Sequence, residues 1–349
     1  MQQVYLAGRP VRFGVEDGET ILAAGLRQHL ALPFGCKSGG CASCRARLNR
    51  GRVEYPFPPT ALSQGEIDAG YILMCLARPL SDLEIDLHQP PQLDELRPRQ
   101  LPARVLSWRM LAHDVIGLTL KLPKANDRAD AFRYLPGQYL DILLADGGRR
   151  SFSIANAPNG ETLELHLRIT PGGRFAQFVQ TAMPERAILR IEGPLGAFYI
   201  REDSQRPILL LAGGTGFAPA QAMIENLLSG PATRPIHLFW GGRSARDLYL
   251  DEKVQAWAAQ HAHFRYTPVL TEAGADWRGA TGFVHEALLR IYPDLHGLEV
   301  YLSGPPAMVQ AGKRSFIAAG LDADHLFYDS FDYAFETWPQ PGASAPPGG

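Results

Sequence analysis

The chain has 349 residues, 46% of them hydrophobic, with 34 Lys and Arg against 36 Asp and Glu for a net charge of −2. At roughly 100–200 residues per domain this suggests two or three domains with real apolar cores. The balanced charge gives no electrostatic reason to expect nucleic acid or an anionic membrane as partner, no apolar run approaches the roughly 20 residues that span a bilayer, and MQQVYLAGRP lacks the basic-then-apolar pattern of a signal peptide, so the expected location is the cytoplasm.

Residues 1–90 form the first unit and hold all four cysteines. Cys36 is followed after four residues by Cys41, after two more by Cys44, and about thirty residues later by Cys75. Clustered cysteines in a cytoplasmic chain bind metal or do redox chemistry more often than they form disulfides. Zinc sites usually show two short cysteine pairs, whereas here the fourth cysteine stands alone. The spacing is that of a plant-type [2Fe–2S] cluster, in which four thiolates hold two irons. Gly35, Gly39 and Gly40 let the loop wrap closely, so that N–H groups can point at cluster sulfurs.

Residues 91–102, rich in Pro, Gln and charge, read as a linker. From 103 to 203 the segments ARVLSWRML, VIGLTLKL, YLDILL, RSFSIAN, LELHLRI and AILRIEG are short, β-rich and separated by turns. That rhythm predicts an antiparallel barrel. Arg150 is a candidate anion binder on one of these strands, and Phe152 shares its face. Taken alone, this alternation also fits an ordinary half-buried strand. Next, Gly172, Gly173 and Arg174 form a Gly-rich turn into the helical FAQFV, an arrangement that offers N–H groups to phosphate.

From 204 to 337 strands alternate with helices, which predicts a parallel sheet covered on both faces. Gly213, Gly214, Thr215 and Gly216 follow the strand ILLLA and open a helix, a second candidate phosphate cradle. It is not the G-x-G-x-x-G fingerprint. Residues 338–349, PQPGASAPPGG and the residue before it, read as a disordered tail. The expected fold is therefore α+β multidomain: a β-grasp unit, an antiparallel β-barrel and a parallel-sheet α/β unit.

In this order the motifs resemble those of NAD(P)H reductases in the ferredoxin–NADP⁺ reductase superfamily that are fused to a [2Fe–2S] ferredoxin. The likeness covers all but the tail. Arg150-Ser151-Phe152-Ser153 resembles the family's R-x-[YF]-S motif, Pro136-Gly137-Gln138 its P-G-Q turn, and Gly213–Pro219 its G-G-T-G-x-x-P motif. The resemblance implies FAD, with Arg150 on its pyrophosphate, Phe152 against the isoalloxazine and Ser153 near N5. It implies NADH or NADPH on the second Gly-rich turn, with Arg243 near the adenosine end, and NADH is preferred on the pattern G-x-R-x-x-x-D-L-Y. Ser303-Gly304-Pro305-Pro306 resembles a C-G-P-P segment whose thiol sits beside nicotinamide, which makes Ser303 a catalytic candidate and predicts slower hydride transfer than with Cys. Phe331 resembles an aromatic near the flavin face. Ala176 stands where relatives carry Ser or Thr, so one hydroxyl contact to FAD is missing, at a cost of about 0.5–1.5 kcal/mol.

The resemblance implies an enzyme that takes a hydride from NAD(P)H and releases single electrons through its cluster to a protein acceptor. An oxygenase or hydroxylase is the first acceptor considered. A sugar-nucleotide dehydrase is the second, because LPARV, SFSIANAP and PGGRFAQFV look like CDP-6-deoxy-Δ3,4-glucoseen reductases. A non-enzymatic cluster carrier or redox sensor is the distant third. Lys37, Arg45, Arg47, Arg50 and Arg52 form either a solvated face or a basic rim for an acidic partner.

Overall fold

The computed structural model describes residues 1–28, 30, 32–34, 37, 39–40, 42–59, 61–62, 64–87, 96, 98–125, 131–231 and 234–331. Cys36, Cys41, half of the expected linker and the expected tail lie outside the described residues.

The first unit comprises β1 (Gln2–Leu6), β2 (Arg12–Val15), α1 (Ile21–Arg27), β3 (Arg45–Arg50), β4 (Val53–Glu54), α2 (Gln64–Asp68), β5 (Tyr71–Leu73), β6 (Arg78–Pro79) and β7 (Leu83–Asp86). Its mixed sheet has the order β2-β1-β7-β3-β5, with β1 and β7 parallel at the centre. Thr20 caps α1 by accepting from the Ala23 N–H at 3.2 Å, which satisfies one of the helix's orphan donors. Buried Ile21, Leu22 and Ala24 of α1 join Val4, Phe13, Leu83 and Ile85 of the sheet in one core. A helix packed on this sheet is the β-grasp arrangement expected.

The second unit comprises β8 (Arg99–Ala112), β9 (Val115–Lys121), β10 (Tyr139–Leu143), β11 (Arg149–Ser153), β12 (Thr162–Arg168), α3 (Arg174–Thr181) and β13 (Ile188–Leu195). The strands run β11-β10-β13-β8-β9-β12, every pair antiparallel, and an Ile154–Leu165 bridge brings the last strand back to the first. This closure is the predicted barrel. β8 starts at Arg99, inside the stretch read as linker, because Arg99–Pro102 pair with Arg190–Gly193 of β13. Pairing with a partner strand outweighs the local Pro and Gln bias.

The third unit comprises β14 (Ile208–Gly213), α4 (Phe217–Ser229), β15 (Ile236–Gly242), α5 (Asp251–Gln260), β16 (Phe264–Leu270), β17 (Ala280–Thr281), α6 (Val284–Ile291), β18 (Glu299–Gly304), α7 (Pro306–Ala318) and β19 (Leu326–Ser330). The sheet β17-β16-β15-β14-β18-β19 is parallel throughout. Every residue of β14 and β18 is buried, as a strand covered on both faces requires. The chain builds outward from β14 to β17 and then returns to β14's other side. That reversal opens a crevice at the C-terminal ends of β14 and β18, the usual ligand position in such sheets. Among the described residues no helix is long and apolar enough to cross a membrane.

The three units pack on one another. Leu195 of the barrel belongs to the first unit's core, and Phe34 meets Tyr139 edge-on at 6.5 Å. Gly137, at φ +103°, lies so close to the third unit that a Cβ there would fall 2.3 Å from both Met223 Cε and Phe198 O. His166 of β12 meets the Tyr249 hydroxyl at 3.0 Å through Nδ1.

Candidate functional site

In the first unit, Cys44 ends the loop just before β3, and Cys75 follows β5. Both are buried, and the Cys75 N–H donates to Cys44 Sγ at 3.4 Å. Two backbone contacts fix this approach: Met74 N–H donates to Cys44 O at 3.1 Å, and Leu22 N–H to Met74 O at 2.9 Å. Around them the loop is tightly wound. Lys37 and Ala42 adopt left-handed φ of 57° and 47°, and a Cβ on Gly39 would sit 2.4 Å from Leu76 Cδ1. Non-glycine residues held in that region store strain that the surrounding structure must impose. Two thiols from distant segments side by side in a strained loop fit an iron–sulfur cluster. They are the described half of the four-cysteine set.

The second unit presents the Arg150 motif on β11. Ser153 is buried, and the Ser151 hydroxyl two residues before it donates to Asp141 Oδ1 at 2.6 Å. Phe152 lies at 5.7 Å from Phe175 of α3, and both belong to the barrel core cluster or pack on it. Arg150 is half-buried, with Nη1 donating to its neighbour Arg149 O at 2.9 Å. The P-G-Q turn beneath is locked: Gln138 accepts from Leu135 N–H at 2.8 Å and donates to Gly196 O at 2.9 Å. At the start of α3, Gly172 has φ +78° and open space about it, and Gly173 is an N-cap without a side-chain bond, among the described residues. Uncapped N–H groups at a helix start, beside a turn free of side chains, fit a phosphate. Ala176 is buried in the barrel core.

In the third unit the two strand-end motifs meet backbone to backbone. A Cβ on Gly216 would lie 2.1 Å from Ser303 O, and one on Gly304, at φ +147°, would lie 3.1 Å from Gly213 Cα. Gly213 is also crowded, its added Cβ falling 2.6 Å from Met308 Sδ and 3.0 Å from Pro305 Cδ. Ser303 is 1% exposed, and its hydroxyl donates to Gly216 O at 2.7 Å. The serine thus ties the end of β18 to the Gly-rich turn. Thr215 is buried within that turn, and Trp240 Nε1 donates to Gly214 O at 3.1 Å from below. Phe331 is half-buried, with its N–H bonded to Gly304 O at 3.0 Å. The glycines bring the backbone close and leave N–H groups at the crevice, which fits a pyrophosphate.

Arg243 lies apart, beyond the end of β15. Its side chain is 62% exposed, and the loop around it is held by Asp247 Oδ2, which accepts from the N–H groups of Arg243 and Ser244 at 3.0 and 2.8 Å. Burial would raise the Asp247 pKa, but those N–H bonds and the Arg243 charge outweigh it and hold the carboxyl below its usual range.

Sequence reasoning passed over Arg168. At the end of β12 it forks onto Asp114 Oδ2 through Nε at 3.1 Å and Nη2 at 2.7 Å. Its Nη1 stands 2.5 Å from where a Gly214 Cβ would be. Arg168 therefore carries the barrel to the mouth of the nucleotide-type turn. Its signal was an arginine ending a strand just ahead of Pro171-Gly172-Gly173. Arg45, grouped with the basic rim, turns inward instead. It stacks on Tyr71 at 4.6 Å, pairs with Glu66 at 2.7 Å, and pairs with Asp324 of the third unit. Arg47, Arg50 and Arg52 remain exposed.

Comparison with known proteins assigns a chemistry to each unit. A 2Fe-2S iron-sulfur cluster binding domain matches residues 4–80, an oxidoreductase FAD-binding domain residues 102–200, and an oxidoreductase NAD-binding domain residues 210–314. The chain is 38% identical over 320 residues to a CDP-6-deoxy-L-threo-D-glycero-4-hexulose-3-dehydrase reductase of Yersinia pestis, covering 91% of this chain and 95% of that protein. It is 36% identical to the reductase component DmpP of phenol 2-monooxygenase from Pseudomonas sp. (strain CF600), covering 91% and 90%. Among solved structures it is similar to the Amycolatopsis cytochrome P450 reductase GcoB, with TM-score 0.74, 31% identity and coverage of 95% and 99%.

Proposed function

From a chain that belongs to the family of ferredoxin-fused NAD(P)H reductases, and so carries electrons from NAD(P)H by way of FAD and a [2Fe–2S] cluster, we propose an enzyme that delivers them singly to a partner oxygenase or hydroxylase in the cytoplasm. Bound FAD supplies the change from two-electron to one-electron chemistry that hydride donor and cluster require. The protein supplies binding, orientation and exclusion of water.

The observation that carries this reading is the packing of the cysteine loop on the barrel. Phe34, two residues before Cys36, sits edge-on to Tyr139, and Tyr139 pairs with Ser153 across the β10–β11 ladder. One short path of packed residues thus joins the iron–sulfur loop to the flavin strand. We assign Cys36, Cys41, Cys44 and Cys75 to the cluster. Arg150, Phe152, Ser153, Gly172, Gly173 and Arg174 go to FAD, with Arg168 added beside them. Gly213, Gly214, Thr215, Gly216, Arg243, Gly304 and Pro305 go to the nucleotide. Phe331 covers the crevice, and Ser303 acts by holding the Gly216 carbonyl. The boundaries 1–90, 103–203 and 204–337 follow the same division.

NADH is the proposed donor. The test is steady-state reduction of ferricyanide and of cytochrome c with NADH against NADPH, followed by turnover with candidate oxygenases. NADH-driven reduction of both acceptors, with Cys75→Ser losing only cytochrome c reduction, is expected. A protein that reduces neither acceptor overturns the reading. A second acceptor, a sugar-nucleotide dehydrase, is favoured by the likeness to the Yersinia pestis dehydrase reductase. Side-by-side turnover with an oxygenase and a CDP-hexulose dehydrase separates the two.

A further inference from the structure

Where the barrel meets the nucleotide unit, three ligand-type atoms converge that the electron path does not use. His113 and Asp114 lie in the turn between β8 and β9, and Asp247 follows β15. Their inward-facing atoms all lie within 4.8 Å of one another. His113 Nε2 is 3.7 Å from Asp114 Oδ1 and 3.8 Å from Asp247 Oδ1. Both separations are too long for hydrogen bonds.

The two carboxylates are divided in the same way. Each Oδ2 is held by donors: Arg168 on Asp114, and the N–H groups of Arg243 and Ser244 on Asp247. Each Oδ1 is buried and has no hydrogen-bond partner among the described residues. The Asp247 side chain is only 2% exposed and aims its orphaned oxygen at His113. A buried unpaired carboxylate oxygen is costly and calls for an explanation. Two of them facing one imidazole nitrogen, each oriented by a partner on its other oxygen, are what a ligand set looks like before its ion arrives.

We propose that His113 Nε2, Asp114 Oδ1 and Asp247 Oδ1 form a binding site for one divalent transition-metal ion, of which Zn²⁺ is the fitting example, clamping the flavin barrel to the nucleotide unit. Histidine nitrogen and carboxylate oxygen are both zinc ligands, and three protein ligands leave a fourth position for water. With bonds of about 2.0–2.2 Å, tetrahedral ligand atoms stand about 3.4 Å apart. The two His113 separations exceed this by a few tenths of an ångström. The two carboxylate oxygens lie within 4.8 Å of each other and must draw together by up to about 1.4 Å as the barrel turn and the Asp247 loop close on the ion. His113, 35% exposed, leaves a path for entry. The two ligating segments belong to different units, so binding stabilises their docked arrangement and not either unit alone.

The test uses the full chain with flavin and cluster in place, so that the cysteines are occupied. Zn²⁺ is titrated against a competing chromophoric chelator, and bound zinc is counted against iron and flavin. The expected result is one zinc per chain, with affinity at least about 100-fold weaker in His113→Ala and Asp114→Asn. Zinc should also raise the Tm of the wild type and leave that of His113→Ala unmoved, while His113→Ala keeps its iron and flavin. Equal zinc uptake by wild type and His113→Ala, or a Tm rise of the same size in both, overturns the proposal. So does a wild type that binds no zinc in competition with the chelator.

Discussion

Substituting Gly216 by alanine tests whether the contact between the Gly-rich turn and β18 controls nucleotide chemistry. The backbone at Gly216 is an ordinary helical one, φ −58° and ψ −12°, so a side chain costs nothing in conformation. The obstacle is space: the new Cβ would lie 2.1 Å from Ser303 O and 2.6 Å from Ser303 C, both backbone atoms that cannot swing aside. Relief to about 3 Å needs the turn and strand to part by roughly 0.9 Å. The Ser303–Gly216 hydrogen bond, 2.7 Å now, then stretches beyond bonding range. Overpacking and the lost bond together predict a stability loss of about 2–4 kcal/mol. A shift near 1 Å at a positioning element costs on the order of 100-fold in rate. The assay is rapid-mixing reduction of the flavin by NADH, with thermal unfolding measured alongside. Gly65→Ala, at an open position of α2, is the control and should change neither. Flavin reduction by Gly216→Ala within twofold of wild type, at normal KM, would refute the argument.

Four further outcomes are expected. Ser303→Ala leaves the Gly216 carbonyl without its donor and should lower stability by about 1–3 kcal/mol. Ser303→Cys should reduce the flavin faster than wild type in rapid mixing; an equal or slower rate sinks the idea that serine slows the step. Asp324→Asn removes one anchor of Arg45 and should raise proteolytic cleavage between the first and second units roughly two- to five-fold, the difference vanishing at high salt. The last concerns His237, buried between Tyr292 and Thr267, with a pKa pushed down to about 4 by burial and then by Arg265. Its unfolded form takes a proton near pH 6.5 while the folded form resists, so stability falls as pH drops from about 6.5 toward 4. Between pH 7.5 and 5.5 this histidine alone contributes a loss of about 1.3 kcal/mol, and His237→Asn should flatten that part of the denaturation profile.

What the sequence revealed was local. The first three cysteines, the turn at Pro171-Gly172-Gly173 and the run Gly213–Pro219 are each complete within a dozen residues or so, and each carries its physical reason on its face. The barrel and the parallel sheet were legible from periodicity. What could not be read was convergence. Arg45 and Asp324 are 279 residues apart. Arg168 earns its place only because β12 ends against Gly214, and His113 meets Asp247 only because the hairpin of β8 and β9 abuts the loop after β15. Arg99–Pro102 looked like linker because their partner strand lies far downstream. The role of Ser303 changed for the same reason: its neighbour across the crevice is the Gly216 carbonyl, which no reading of residues 301–309 reveals.

The seam between Gly216 and Ser303 also has a meaning for biosynthesis. The two residues are 87 positions apart, and at about 5–20 residues per second the ribosome needs roughly 4–17 s to make the second after the first. Throughout that interval every strand of the first two units has been translated, while the cradle for the dinucleotide lacks one wall. The candidate dinucleotide cradle is therefore the last of the three candidate sites to have all its residues translated.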